Sequence, residues 1–339
     1  VELDGGYPVL LRVAGWNLEW FGDPSDGPTD EELQYTNVRS ILREGGLDLY
    51  GLVEVVNPST FERLLTDLPD YRGLLASDTA QVAQPATCDS SSHSPCYRVA
   101  EQKPAFLYKP SVMTVRGAQL ILTEPSNDHA LAGRAPLRVD LTVRKNGFQI
   151  ELVVIVLHLK AYADVASYQR RLAAAQALKD YVDRNLANQK VLVLGDWNDD
   201  VDQSTTSSGG VLLPSPFEAF IDDPAGYTFV TATLSRAGAR STVNFPNVID
   251  HHLVTSPLAS LYLRGSAAVL RPDLWGDSNY ALGSYVISTS DHYPVESQYV
   301  LGVLSEPALP LAPEEKSARY PEIRPGTISP FTDSPTGAR

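Results

Sequence analysis

From Val9 to about Val300, short apolar runs rich in Val, Leu and Ile alternate with stretches of helical spacing and with polar loops. Runs of this kind, bounded by Gly, Pro, Asn or Asp, read as strands. The pattern predicts strands over residues 9–17, 47–55, 105–109, 136–144, 148–159, 190–195, 248–255 and 292–300. Apolar positions at helical spacing predict two helices, over residues 30–43 and 164–186, with Val165, Leu172, Ala175, Tyr181, Val182 and Leu186 roughly on one face of the second. Gly45-Gly46 stops the first helix. Polar residues capable of chemistry recur at the C-terminal ends of these strands or just beyond them, as in Leu192-Val193-Leu194-Gly195-Asp196, the usual place for sites in layered α/β folds. No repeat is visible in the sequence, although such alternation can conceal a structural duplication.

After Gly302 the pattern lapses into prolines at 307, 310, 313, 321, 325, 330 and 335. The division expected is a body over residues 1–302 and a Pro-rich tail over 303–339, an extended strap or linker. The longest aliphatic run, residues 152–157, is far short of the roughly 20 residues of a membrane span. Acids outnumber bases 41 to 27, a formal charge of −14. Any polyanionic partner therefore needs a metal or a local basic patch. Cys88 and Cys96 bracket a polar loop, which favours a local disulfide and a secreted or periplasmic location. With only His93 beside them, a structural zinc would lack a ligand.

The residues that could carry chemistry are Asn17, Glu54, His158, Asp196, Asn198, Asp250, Asp291 and His292, all near strand ends. Singly, each reads as a satisfied structural polar group. Together they are hard-metal ligands and proton-transfer groups, a set that suits phosphoryl chemistry. His252 is expected to face outward, and Asp199, Asp200 and Asp202 to be solvated loop acids rather than Ca²⁺ ligands.

The ordered series Trp16-Asn17-Leu18-Glu19-Trp20-Phe21, Leu52-Val53-Glu54-Val55, His158-Leu159-Lys160, Gly195-Asp196-Trp197-Asn198, Ile249-Asp250-His251 and Ser290-Asp291-His292-Tyr293-Pro294-Val295 resembles the endonuclease/exonuclease/phosphatase superfamily, the deoxyribonuclease I-like fold, and among its members bacterial extracellular nucleases. The resemblance implies an α/β fold, a four-layer α/β/β/α sandwich of two facing mixed β-sheets. It makes Glu54 the principal Mg²⁺ ligand, assisted by Asn17 or Asp291, with Mn²⁺ or Ca²⁺ able to substitute or assist. Asp196 and Asn198 would orient the attacking water and the phosphate. His158 and His292 would act on the scissile phosphate as acid, base or electrostatic clamp, with Asp250 holding His292. Glu101 would pair with the first histidine, and Arg98, with Asn17 and Asn198, would touch phosphate.

His158 argues against an abasic-site endonuclease, and Asn247-Val248-Ile249-Asp250 stands where inositol phosphatases carry a different signature. The expected protein is a secreted, monomeric, Mg²⁺-dependent phosphodiesterase acting on nucleic acid, DNA in preference to RNA. A sphingomyelinase-like phospholipase C is the alternative, although the stretch 262–285, with Trp275 and Tyr280, is interleaved with charged residues. A catalytically silent binding module is the third reading, and the complete set of motifs argues against it.

Overall fold

The computed structural model describes residues 6–85, 97–98, 100–275 and 282–305. The Cys88–Cys96 pairing and nearly all of the expected tail lie outside them. The last strand runs to Leu304, so residues 303 and 304 belong to the body.

Two six-stranded sheets make up the core. Their strands are β1 (Tyr7–Phe21), β2 (Leu49–Val55), β3 (Arg72–Leu75), β4 (Lys103–Tyr108), β5 (Met113–Leu120), β6 (Leu137–Lys145), β7 (Phe148–His158), β8 (Val191–Asp196), β11 (Tyr227–Phe229), β12 (Asp250–Thr255), β13 (Ala268–Val269) and β14 (Val295–Leu304), while β9 (Ser207–Ser208) and β10 (Val211–Leu212) form a separate hairpin. The first sheet has the order β13-β14-β1-β2-β4-β3 and the second β11-β12-β8-β7-β6-β5. Each has a single parallel pair at its centre, β1 with β2 and β7 with β8, flanked on both sides by antiparallel pairs. The two sheets therefore repeat one pairing scheme, a duplication that the sequence does not display.

A parallel pair requires a crossover, usually helical. The first is α1 (Glu31–Gly45), between β1 and β2. Asp30 caps it by accepting from Leu33 N, and Gly46 ends it in the left-handed conformation at φ 57°. The second, α4 (Val165–Asn185), joins β7 to β8 and begins at Asp164, whose side chain accepts from Ser167 N. Two further helices, α2 (Pro58–Asp67) and α3 (Pro125–Leu131), follow β2 and β5.

The period-2 alternation of the central strands builds three apolar layers. Val13, Leu49, Val53, Val154, Val156, Leu192, Leu194 and Val254 pack between the sheets. Trp16, Leu52 and Val55 turn instead to α1, where Tyr35, Val38 and Leu42 meet them. Val153, Ile155, Leu157 and Val193 turn to Ala174, Leu178 and Val182 of α4. The result is the expected four-layer α/β/β/α sandwich. Both parallel pairs end at the same edge of it, and that is where the polar residues gather.

Candidate active site

Three neighbouring strands of the second sheet deliver the first side chains. His158 follows the inward parity of Val154 and Val156 on β7, and Asp196 that of Leu192 and Leu194 on β8, so both emerge between the sheets. His158 and Asp196 are also partners in the parallel register. Gly195 makes this close pairing possible: at φ 134°, a Cβ there would lie 2.1 Å from Leu157 O. On β12, Asp250 pairs with Asp196 and has the parity of His252 and Val254.

Glu54 reaches the same place by breaking the alternation. Val53 faces the inter-sheet core, whereas Val55 faces α1. Regular pleating would put both on one side. The register of β2 shifts between Leu52 and Val55, and Glu54 sits at φ 62°. This bulge swings the carboxylate away from the helix layer and into the cleft. The strain has company. Among the described residues nine non-glycine positions have positive φ, and five of them (Glu19, Trp20, Glu54, Tyr162 and Asn198) line the cavity over this cleft, a clustering typical of functional sites.

The cavity has a volume of about 720 Å³ and is lined by Glu54, His158, Asp196, Asn198, Asp291 and His292, among others. Asp196 Oδ2 is its hub. It lies 3.6 Å from His158 Nε2 and 3.7 Å from His292 Nε2, and it accepts from Asn17 Nδ2 at 3.0 Å. Asn17 Nδ2 also donates to Glu54 Oε1 at 2.9 Å, and Glu54 Oε1 is 3.6 Å from His158 Nε2. Asn17 thus turns its amide nitrogen to the two carboxylates, while its Oδ1 accepts from Glu19 N. His292 Nδ1 donates to Asp250 Oδ2 at 2.8 Å, fixing the ring with Nε2 toward Asp196 and Asp291. Asn198 donates its backbone N–H to Asp196 Oδ1 and its Nδ2 to Leu159 O.

Burial sets the charge states. It pushes the Glu54 carboxyl upward, against the hydrogen bond from Asn17. Burial likewise raises Asp196, reinforced by Asp250 and opposed by His292. His158 is driven well below the ordinary histidine range by burial and then by Arg134, so its ring is neutral. For His292 burial acts downward too, but Asp250, Asp291 and Asp196 outweigh it and hold the ring as a cation. The two histidines therefore carry different charge into one site. Glu19, at the cavity wall, rises to about 8 through burial and the proximity of Asp291.

The donor set suits a hard divalent cation. Ligand atoms of Glu54, His158 and Asp196 lie within 4.8 Å of one another, as do those of Asp196, Asp250 and His292. Carboxylate oxygens held in a buried cleft, one of them on Glu54 with a side chain only 12% exposed, are the ligands such an ion prefers. Asp291 borders the same cleft.

Two predicted site residues are not brought here. Glu101 turns to the backbone N–H of Arg98, and His158 Nδ1, which it was expected to hold, is buried with no hydrogen-bond partner. Arg98 instead lines a separate cavity of about 510 Å³ against α2, with Lys103 and Tyr97. The loop carrying both residues takes a different course from the one that spacing to the strand suggested.

Three other expectations are corrected. His252 faces inward, fully buried between the sheets with Nδ1 against Ser297 Oγ, because it shares the parity of Val254. Asp199 and Asp200 are buried as well, the first by Arg171 and the second by Val248 N and Asn247 Nδ2. Asp202 alone of the three is exposed.

Sequence reasoning missed Arg134. It lines the cavity, is held by Gln102 Oε1 and Leu159 O, and leaves a buried Nε without a partner. Burial lowers its pKa while Glu54 and Asp196 act in the opposite direction. It stands in an irregular turn after α3, where no periodicity marks it.

Comparison with curated protein sequences finds no match. Solved structures share the fold. A humanized TDP2 from D. rerio aligns at a TM-score of 0.57 and 15% identity over 86% of this chain and 98% of its own. The human Nocturnin catalytic domain aligns at 0.55 and 16% identity, over 88% and 96% of the two chains. The Neisseria 3′ phosphatase NExo, solved with a product DNA hairpin, aligns at 0.55 and 14% identity, over 85% and 99%. At such identities the likeness speaks for the fold. The sequence model of the Endonuclease/Exonuclease/phosphatase family matches residues 14–292, from the first strand to the second histidine, and the chain belongs to that family.

Proposed function

We propose that the protein is a secreted nuclease that hydrolyses DNA phosphodiester bonds with the help of a divalent cation, Mg²⁺ foremost. The observation that carries this reading is the convergence of two differently charged histidines, contributed by different sheets, on one carboxylate oxygen of Asp196. A phosphodiester needs its nonbridging charge offset, a water oriented in line and a proton supplied where charge develops.

Glu54, with Asn17 and Asp291 beside it, would hold the cation, which when bound supplies charge to a nonbridging phosphate oxygen. The chain's own residues account for the rest. Asp196, fixed by Asn17 and by the backbone of Asn198, orients the attacking water and accepts its proton as the new P–O bond forms, while the bond to the leaving oxygen breaks and that oxygen takes a proton from the His292 cation. His292, kept protonated by Asp250, faces the phosphate with Nε2 and offsets the charge that builds there. Neutral His158 hydrogen-bonds the phosphate from the opposite sheet. Arg134 adds a fixed positive charge at the cavity wall.

Support for a nucleic-acid substrate comes from relatives of the same fold: D. rerio TDP2 has been solved with a single-strand DNA product and NExo with a DNA hairpin. Secretion is proposed from the two cysteines of the loop 88–96, and thiol titration of the denatured, unreduced protein checks the disulfide that it presumes. The phospholipase alternative stays in the test because Leu274 and Trp275 stand exposed after β13. Supercoiled plasmid, RNA and sphingomyelin are incubated in parallel with Mg²⁺ and with chelator. Nicking of the plasmid that chelator abolishes is expected. Sphingomyelin hydrolysis with intact plasmid would replace the nuclease with the phospholipase.

A further inference from the structure

The mouth of the cavity carries aromatic rings that packing does not explain. Tyr162 is 74% exposed and Phe245 59% exposed, yet both line the cavity that holds His158, Asp196 and His292. Large exposed rings beside a polar cleft mark a contact surface more often than scattered surface apolarity does.

Each ring is mounted on a loop anchored next to a histidine. Tyr162 follows His158 by four residues and is held at φ 80°, a conformation costly for an aromatic residue. Arg171 maintains it from beneath: its Nη1 donates to Lys160 O and to Tyr162 O, both at 2.8 Å, and its Nε donates to Asp199 Oδ2 at 3.0 Å in the buried interior. Lys160 Nζ lies 4.3 Å from the centre of the Tyr162 ring, placing a cation against the aromatic face. On the other loop, Phe245 N donates to Thr242 Oγ1, Val243 N donates to Asp291 O, and Thr242 bridges His292. Both loops are thus anchored beside the two histidines.

We propose that Tyr162, assisted by Phe245, is a stacking platform for the nucleobase adjoining the scissile phosphate, so that the preferred substrate is single-stranded or unpaired nucleic acid. This rests on the nuclease reading above. In continuous duplex the faces of internal bases are covered by their neighbours, so a flat side chain stacks only on a base that has left the helix. The charge balance favours the same conclusion. A chain of formal charge −14 gains little by tracking a long phosphate backbone, whereas stacking is short in range and insensitive to net charge.

The test is cleavage, in Mg²⁺, of a short single-stranded oligonucleotide at one linkage flanked either by normal nucleotides or by abasic ones, with the corresponding duplex in parallel. Tyr162→Ala is expected to raise KM for the normal strand by about 5- to 150-fold, the range for loss of one stacked base. Abasic flanks should cost the wild type a similar factor and the variant little more. Single strand should be cut at lower KM than duplex. Both side chains are exposed, so an unchanged thermal transition is expected for Tyr162→Ala and Phe245→Ala and separates a binding effect from misfolding. Equal KM for wild type and Tyr162→Ala on every strand, or duplex preferred over single strand, overturns the platform while the nuclease reading stands. Failure of the wild type to cut any strand overturns both.

Discussion

Arg171 ties the helix layer to the rim of the site, and removing it has a calculable effect. Its side chain is fully buried and every nitrogen is engaged: Nε and Nη2 with Asp199, Nη2 also with Thr206 Oγ1, and Nη1 with the carbonyls of Lys160 and Tyr162. Arg171→Met keeps most of the aliphatic volume but strands the Asp199 carboxylate in the interior. Hydrogen bonds from Ser204 Oγ and from the backbone N–H of Asp200 and Thr205 would remain, but no cation would. Breaking one side of a buried pair typically costs about 3–5 kcal/mol, most of it the uncompensated charge. In a domain of this size that corresponds to a fall in Tm on the order of 5–15 °C. Urea unfolding followed by fluorescence of the buried Trp16 and Trp197 reads the change. Adding Asp199→Asn should recover part of the loss, because the stranded charge is gone. A single-variant loss under about 1 kcal/mol, or a double variant destabilised by the plain sum of two single losses, would refute the claim that this pair carries the rim.

His158→Ala and His292→Ala should each lower turnover by about 10²- to 10⁴-fold with little change in Tm, and, with both rings proposed to serve one phosphate, the double variant should lose far less than the product of the two factors. Full multiplicativity in single-turnover assays would separate their roles. Glu19 has a folded pKa of about 8 against an ordinary 4.5, so the native state binds the extra proton and stability falls as pH rises through that window. Glu19→Gln should therefore raise Tm at pH 9 in chelator and leave it nearly unchanged at pH 4. An equal effect at both pH values would contradict the burial argument.

The elements that sequence revealed are those where pattern and structure share a cause. Asp30 and Asp164 cap the two long helices because each precedes an amphipathic run, and the ends of β7 and β8 place His158 and Asp196 because alternation continues unbroken to the last residue. Strand β5 was invisible, as Arg116 and Gly117 interrupt its apolar character where its register shifts. Helix α2 buries Phe61 and Leu64, too few positions to establish a period. Glu54 could be named as a ligand by resemblance, but its direction came from a bulge that strict alternation would deny. Asp199 looked like a solvated acid because Arg171, its partner, lies 28 residues away in sequence. Arg134 and the inward turn of His252 depend on tertiary surroundings with no local signature.

In the proposed function, Glu54 is the residue through which hydrolysis would depend on a divalent cation. Plasmid cleavage is measured across a Mg²⁺ titration for wild type and Glu54→Gln, with Mg²⁺ binding to both followed by calorimetry in the absence of DNA. Removing one ligand charge without changing shape should weaken binding and shift the activation curve to higher Mg²⁺, with a fall in maximal rate and an unchanged fold. Identical binding and activation curves for the two proteins, or cleavage that persists in chelator, would contradict it.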